Sequence, residues 1–445
     1  MLINVFLSKI QNFLEPFYRN SVVLRSIDRL VFVTLISIIL LSSILSSDAI
    51  GCFVIVAILL TIFKLLSKPN EKVSLSASEK LLLIYLVFVV ISVAGSTLLM
   101  LSIKGFCKTL IYVGFYASLV SFLKDNKSKI KYILLAIITV TFFESLVALK
   151  QNFLSVAEIS GWQDMSRLNP EEVMTRVYGT LKPLNPNLFG GYLLAALPAN
   201  LALVYFPLVK KHYKTAIVGF SLFCLTILAI IMSGCRGAYI GLFFEVLLIA
   251  FLTYKYLKPY YKKLFLMLSA MVSGVVGLII VSLPALRARI FSIFAMRSDS
   301  SNSFRFNVYN SCIEMFKDNW LLGIGVGNQN FREIYGLYMR TGFDALSAYN
   351  IYLETAVESG IFALVAFVLF LFANIYNAVK YILNYKNQEC IYIIIALVSI
   401  TGVLIHGFVD TVFFRPQIQI LFWTMIAIIR VITVNKGVNY DRNRN

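Results

Sequence analysis

Apolar positions gather into long runs with short polar interruptions. The runs cover 29–47, 50–67, 80–100, 105–123, 130–150, 188–207, 215–233, 237–254, 264–283, 350–376, 391–409 and 416–434. A hydrocarbon core about 30 Å thick needs roughly 20 apolar residues per helix. These runs meet that length and are too long and too uniformly apolar for barrel strands. The pattern predicts an all-α polytopic membrane protein of about 12 transmembrane helices, with a large loop between helices 9 and 10. Ahead of the first run, Phe6, Leu7, Ile10, Phe13 and Leu14 alternate with Lys9, Gln11 and Glu15. That mixture reads as a helix lying in the membrane interface. Residues 1–28 lack the apolar core and small-residue cleavage site of a signal peptide.

Composition agrees. Of 445 residues 59% are hydrophobic and 14% charged, against about 25% charged in a soluble domain. A soluble enzyme, a disordered chain and a secreted disulfide scaffold are excluded. The formal charge of +18 is not a nucleic-acid signal, because its Lys and Arg sit in short clusters between apolar runs. Lys64, Lys68 and Lys72, then Lys124, Lys127, Lys129 and Lys131, then Lys210, Lys211 and Lys214, then Lys255, Lys258, Lys262 and Lys263, then Lys380 and Lys386 mark every even-numbered loop. By the positive-inside rule those loops and both termini are cytoplasmic. The expected organisation is a cytoplasmic interfacial segment 1–28, a transmembrane domain 29–434 with outward loops 151–187 and 284–349, and a cytoplasmic tail 435–445.

The outward segments carry Arg instead: Arg167, Arg176, Arg236, Arg287, Arg289, Arg297, Arg305, Arg332, Arg340 and Arg415. Lys is a hydrated point charge suited to fixing topology, whereas Arg offers a planar fork for phosphate or carboxylate. As a set they point to an anionic ligand; any one alone reads as a local ion pair. Within the second loop, 307–320 has helical apolar spacing. The turn Gly323-Ile324-Gly325-Val326-Gly327-Asn328 that follows is read as lying near a substrate or as a plain lid turn. Six scattered cysteines show no metal-ligand spacing; Cys235 and Cys312 both face outward and could pair.

Four outward constellations carry candidate chemistry. Arg176-Val177-Tyr178-Gly179 precedes Asn185-Pro186-Asn187, where a helix start offers free N–H groups to an anion; Asn187 alone reads as a helix cap. Ser233-Gly234-Cys235-Arg236 holds Arg236 at membrane depth between two spans, for ligand binding or as a snorkelling surface group. Tyr349 and Asn350 open the tenth span, with Glu354 and Glu358 on the face of Asn350; outward Arg residues are their expected partners. His406 and Asp410, four apart, share a helix face ahead of Arg415, so Asp410 could orient the imidazole.

Ser233-Gly-Cys-Arg236-Gly-Ala, then Ser303-Phe-Arg305 leading to Trp320-Leu-Leu-Gly-Ile-Gly-Val-Gly327-Asn328, then Tyr349-Asn350 with Gly360, resemble the O-antigen ligase/polymerase superfamily in order and topology over roughly 176–425. Arg176-Val-Tyr-Gly with Asn185-Pro-Asn, and His406-Gly-Phe-Val-Asp410-Thr with Arg415-Pro, are similar to its cyanobacterial branch once proposed as bicarbonate transporters. The resemblance implies a GT-C-like glycosyltransferase of the bacterial inner membrane, active in lipopolysaccharide or other polysaccharide biosynthesis. It would move a glycan from an undecaprenyl-diphosphate carrier to the hydroxyl of a glycan or lipid acceptor on the periplasmic face, with no cofactor and no metal. It implies that Arg236 binds the diphosphate, with Arg305 as a second basic position. Arg176, Asn187, Asn350 and Arg415 are the further candidates for substrate binding. The family's proposed base, a His directly before the Asn, is replaced here by Tyr349, a weak base at neutral pH. Tyr349 then positions the acceptor, or His406 with Asp410 takes the base role, or the protein does not catalyse transfer. Trp162, Tyr178, Tyr349 and Tyr352 could stack on sugars, though interface anchoring explains most of them. Bicarbonate transport and a non-catalytic role in envelope assembly are the alternatives. The enzyme reading requires the outward guanidinium groups to converge on one site.

Overall fold

The computed structural model describes residues 2–154 and 174–442; the expectations on Trp162 and Arg167 lie outside them. The fold is 79% helical, and no strand occurs among the described residues. In chain order the helices are α1 (Leu2–Asn20), α2 (Ile27–Leu41), α3 (Ser47–Ser67), α4 (Ala77–Ala94), α5 (Leu99–Leu123) and α6 (Ile130–Phe153). Then come α7 (Pro186–Val209), α8 (Tyr213–Met232), α9 (Arg236–Tyr256), α10 (Pro259–Ser282), α11 (Pro284–Phe291), α12 (Ser300–Asp318) and α13 (Asn328–Tyr335). The last are α14 (Ile351–Asn384), α15 (Cys390–His406) and α16 (Pro416–Arg442). Each of the twelve apolar runs is a helix. Ten are long and apolar enough to cross a membrane; α2 and α15 are shorter, at 15 and 17 residues. The chain is a multi-pass membrane protein.

Helix α16 forms the centre, enclosed along almost its whole apolar length, while no residue of α10 is buried. Two buried ionic clusters tie the N-terminal helices together. Lys64 on α3 reaches Asp28 of α2 at 3.0 Å and Glu71 at 3.1 Å, and Lys124 after α5 meets Glu71 at 2.5 Å. Arg430 on α16 binds Glu79 at 2.8 Å, and Glu79 also accepts from Tyr116. Along α1, buried Gln11 donates to the carbonyls of Leu65 and Glu71, whereas Phe6, Phe13 and Phe17 stay exposed. The helix thus has a bonded side and an apolar outer side, the pattern of an interfacial helix.

The segment after α10 is an ordered layer with its own core of Val308, Cys312, Met315, Phe331, Tyr335 and Ala348. Helix α12 starts seven residues earlier than the apolar spacing implies, because Asp299 caps it by accepting from the Asn302 N–H at 2.9 Å. The Gly-rich turn is not in the lining of the cavity described below. It runs against the kink of α14 at Gly360, where φ is +77°, with Ile324 N–H donating to Val357 O and Gly325 N–H to Glu358 O. Ser92 on α4 donates to the Glu358 carbonyl, and Ser96, just past the end of α4, donates to the Ile324 carbonyl. The turn is therefore a dock between the outer layer and the bundle. Glu354 and Glu358 do not pair with Arg either. Their carboxylates accept from the backbone N–H of Ala348 at 2.8 Å and of Gly327 at 2.9 Å. A fixed amide satisfies a buried carboxylate without burying a second side-chain charge.

Candidate anion site

Helices α8 and α9 meet at residues 233–235 with almost no loop, which fixes Arg236 on the first turn of a 21-residue helix. Its guanidinium is nearly buried. It donates to Asp299 Oδ1 at 2.8 Å and to Ser292 Oγ at 3.1 Å. Asp299 is also the cap of α12, so one carboxylate sets both the helix start and the direction of Arg236. Helix α11 folds back over this turn and brings Arg289, also buried, to the Gly234 carbonyl at 2.8 Å. From the other side Arg176 donates Nε to Ser233 O at 2.9 Å and a terminal nitrogen to Asn187 Oδ1 at 2.6 Å. Asn187 is free to do so because Asn185, not Asn187, caps α7. The Asn187 amide then donates to Asp410 Oδ2 at 3.0 Å.

Arg305 closes the ring from α12. One terminal nitrogen binds Ser301 Oγ at 3.0 Å, and the other lies 3.6 Å from Asp410 Oδ2. Its Nε is buried and has no hydrogen-bond partner among the described residues. Four guanidinium groups, those of Arg176, Arg236, Arg289 and Arg305, thus line one cavity of about 250 Å³. Asp410 is its lining carboxylate, and Asp299 sits behind Arg236. Guanidinium groups converging in a partly desolvated space favour a multiply charged oxyanion such as a diphosphate. Among the described residues no group of three or more His, Cys, Asp and Glu could hold a metal ion.

Of the residues singled out in the sequence, Arg176, Asn187, Arg236, Arg305 and Asp410 meet at this cavity, and Tyr349, Asn350, His406 and Arg415 are not in its lining. Tyr349 lies directly behind Arg305, whose guanidinium carbon is 5.6 Å from the ring centroid. Burial, then the nearby Asp410 carboxylate, push its phenol above the ordinary range. Asn350 caps α14 by accepting from the Tyr352 and Leu353 N–H groups and donates to Phe408 O, so its amide is engaged at both ends. Arg415 is exposed. His406 is buried, and its ring faces Cys235 Sγ at 3.6 Å. The Asp410 carboxylate instead turns to Asn187, Arg305 and the N–H groups of Thr411 and Val412. The i,i+4 spacing fails to bring the side chains together because α15 ends at His406.

The sequence pattern did not single out Arg289, Asp299 or Tyr309. Arg289 stood in the outward Arg series without a role. Asp299 has the helix-cap spacing that would have flagged it. Tyr309 is one turn after Arg305 on α12 and lines the same cavity; burial pushes its phenol up to about 12.

Residues 221–368 match the family described as O-Antigen ligase. The match supports the resemblance to the O-antigen ligase/polymerase superfamily over that region. The matched region holds Arg236, Arg289, Asp299, Arg305 and Tyr349, and stops before His406 and Asp410. A Haemophilus influenzae protein described as uncharacterized is 29% identical over 208 residues, covering 43% of this chain and 51% of the relative. The chain thus spans about half the length of that curated relative. The family match supports the superfamily and does not bear on its cyanobacterial branch.

Proposed function

We propose that this protein transfers a glycan from a polyprenyl-diphosphate carrier to an acceptor hydroxyl, at the cavity bounded by Arg176, Arg236, Arg289 and Arg305. The convergence of four guanidinium groups on one cavity carries this reading. In the transfer the acceptor oxygen bonds to the anomeric carbon, the bond from that carbon to the phosphate oxygen breaks, and the electron pair leaves with the diphosphate. Arg236, aimed by Asp299, and Arg305, with its open Nε, stabilise the charge that develops there. Asp410 is the proton acceptor the cavity offers, held by Asn187 and lying beside Arg305. Tyr349 positions Arg305 from behind rather than acting as the base. The Lys-rich loops support an outward-facing cavity, cytoplasmic termini and, for a bacterial chain, the inner membrane. The polyprenyl chain would lie in the surrounding bilayer.

The test is reconstituted transfer from a polyprenyl-diphosphate-linked glycan. Arg236→Ala is expected to lower the rate by about 10²-fold or more with the protein still folded. Unchanged transfer would remove the diphosphate role.

Anion transport is the second reading, and one observation favours it. Glu245 on α9 is fully buried within a span, and neither carboxyl oxygen has a hydrogen-bond partner among the described residues. Ionisable groups at such depth often mark ion or proton paths. Uptake of labelled bicarbonate by proteoliposomes, lost in Glu245→Gln, would favour that reading over transfer.

A further inference from the structure

One wall of the cavity is a thiol. Cys235 lines it and occupies the N-cap position of α9. Its Sγ lies 3.6 Å from His406 Nε2 and 4.0 Å from the Asn187 carbonyl oxygen. Cys235 is 2% exposed and His406 3%. The imidazole fits between two helices only because each carries a glycine there. A Cβ on Gly191 of α7 would stand 2.8 Å from His406 Cε1, and one on Gly237 of α9 would stand 2.3 Å from Cδ2. A Cβ on Gly190 would stand 2.8 Å from the Cys235 Cβ. The backbones of α7 and α9 thus leave a slot shaped for one thiol and one imidazole. The transfer reading uses neither group.

We propose that Cys235 and His406 form a thiolate–imidazolium pair in the cavity wall, and that Cys235 is a site of covalent modification by small disulfides and thiosulfonates. The charged and titratable groups facing the pair are Arg176 before α7, Arg305 of α12, Tyr239 of α9 and Asp410 after α15. Burial opposes ionisation of the thiol, as does Asp410. His406, with Arg176 adding, outweighs both and holds the thiol below its ordinary range. A helix N-terminus and neighbouring cations act in the same direction.

In the reaction the Cys235 proton passes to His406 Nε2, and the thiolate attacks the sulfenyl sulfur of the reagent. A new S–S bond forms. The old bond breaks with its electron pair on the leaving sulfinate or thiolate, and the imidazolium later returns its proton to water. The attached group then takes up part of the phosphate-sized space.

The test uses the full chain in lipid nanodiscs with methyl methanethiosulfonate, following each of the six cysteines by peptide mass spectrometry. Cys312, also buried and free, is the internal reference. Cys235 is expected to react about tenfold or more faster than Cys312, and its rate is expected to reach its plateau at a lower pH than that of Cys312. His406→Gln should cost about tenfold in rate and move that plateau to higher pH. Reaction no faster than at Cys312, or the same pH profile as Cys312 in the unaltered protein, overturns the pair. The profile is read on the unaltered chain, so it decides even if the variant folds poorly. No glycan enters the measurement, so its outcome is separate from that of the transfer reading.

Discussion

At the scale of single residues, position relative to the cavity separates side chains that the sequence pattern had grouped. Tyr349 and Asp410 were both candidates for handling a proton. Tyr349 is behind Arg305 with a phenol raised by burial and by Asp410, whereas Asp410 opens on the cavity. Tyr349→Phe keeps the ring beneath Arg305 and is expected to retain transfer within about threefold, since the cation–π contact survives. Asp410→Asn removes the proton acceptor and should lower transfer by roughly 10²–10⁴-fold. Rates of both variants in the reconstituted assay check the assignment, and the opposite ranking would return the base role to Tyr349. The Arg residues were legible as a class, because the long outward loops carry mostly Arg and the inward loops mostly Lys. Which of them act together was not legible. Arg415 and Arg289 look alike in sequence, yet one is exposed and the other is buried on the Gly234 carbonyl.

At the scale of elements, the outer layer is held to the bundle through backbone geometry rather than apolar area alone. Gly360 kinks α14 with a φ of +77°, and a Cβ there would meet the Leu321 carbonyl oxygen at 2.3 Å. Gly360→Ala should therefore destabilise the protein by roughly 2–3 kcal/mol, the scale of a strained positive φ with a backbone clash. The measurement is thermal unfolding in detergent, where an unchanged midpoint would show that the kink is not needed. The apolar runs revealed twelve helices because each run must satisfy its own backbone in lipid. They did not reveal that the Gly-rich turn is a dock, since its partners Ser92, Ser96 and Glu358 are distant from it in sequence.

Across the whole molecule, the ionic cluster of Asp28, Lys64, Glu71 and Lys124 joins α2, α3, the segment after α3 and the end of α5. Burial opposes the charge on Glu71, but Lys124 and Lys64 outweigh it and hold its carboxyl below the ordinary carboxylate range. A lowered folded-state value means the contribution is complete above the ordinary value of 4.5 and is lost as the pH falls through the lowered one. Glu71→Gln leaves Lys64 and Lys124 short of a partner. It is expected to cost roughly 3 kcal/mol near neutral pH and to flatten the acid side of the stability profile. Unfolding midpoints from about pH 7 down to 3 for both proteins would show this, and parallel profiles would contradict it.

The sequence by itself determined the medium, the number and rough limits of the helices, the separation of Lys from Arg, and the motif order that resembles the superfamily. Those properties follow from local rules: lipid demands apolar length, topology demands short cationic loops, and motifs are read in order along the chain. Tertiary structure alone decided that Arg176, Arg236, Arg289 and Arg305 share one cavity, that Asp410 turns to Asn187 and Arg305, and that His406 faces Cys235. These pairings join residues up to 223 positions apart. Their partners are fixed by how helices cross and where small residues let them approach, which no local pattern encodes.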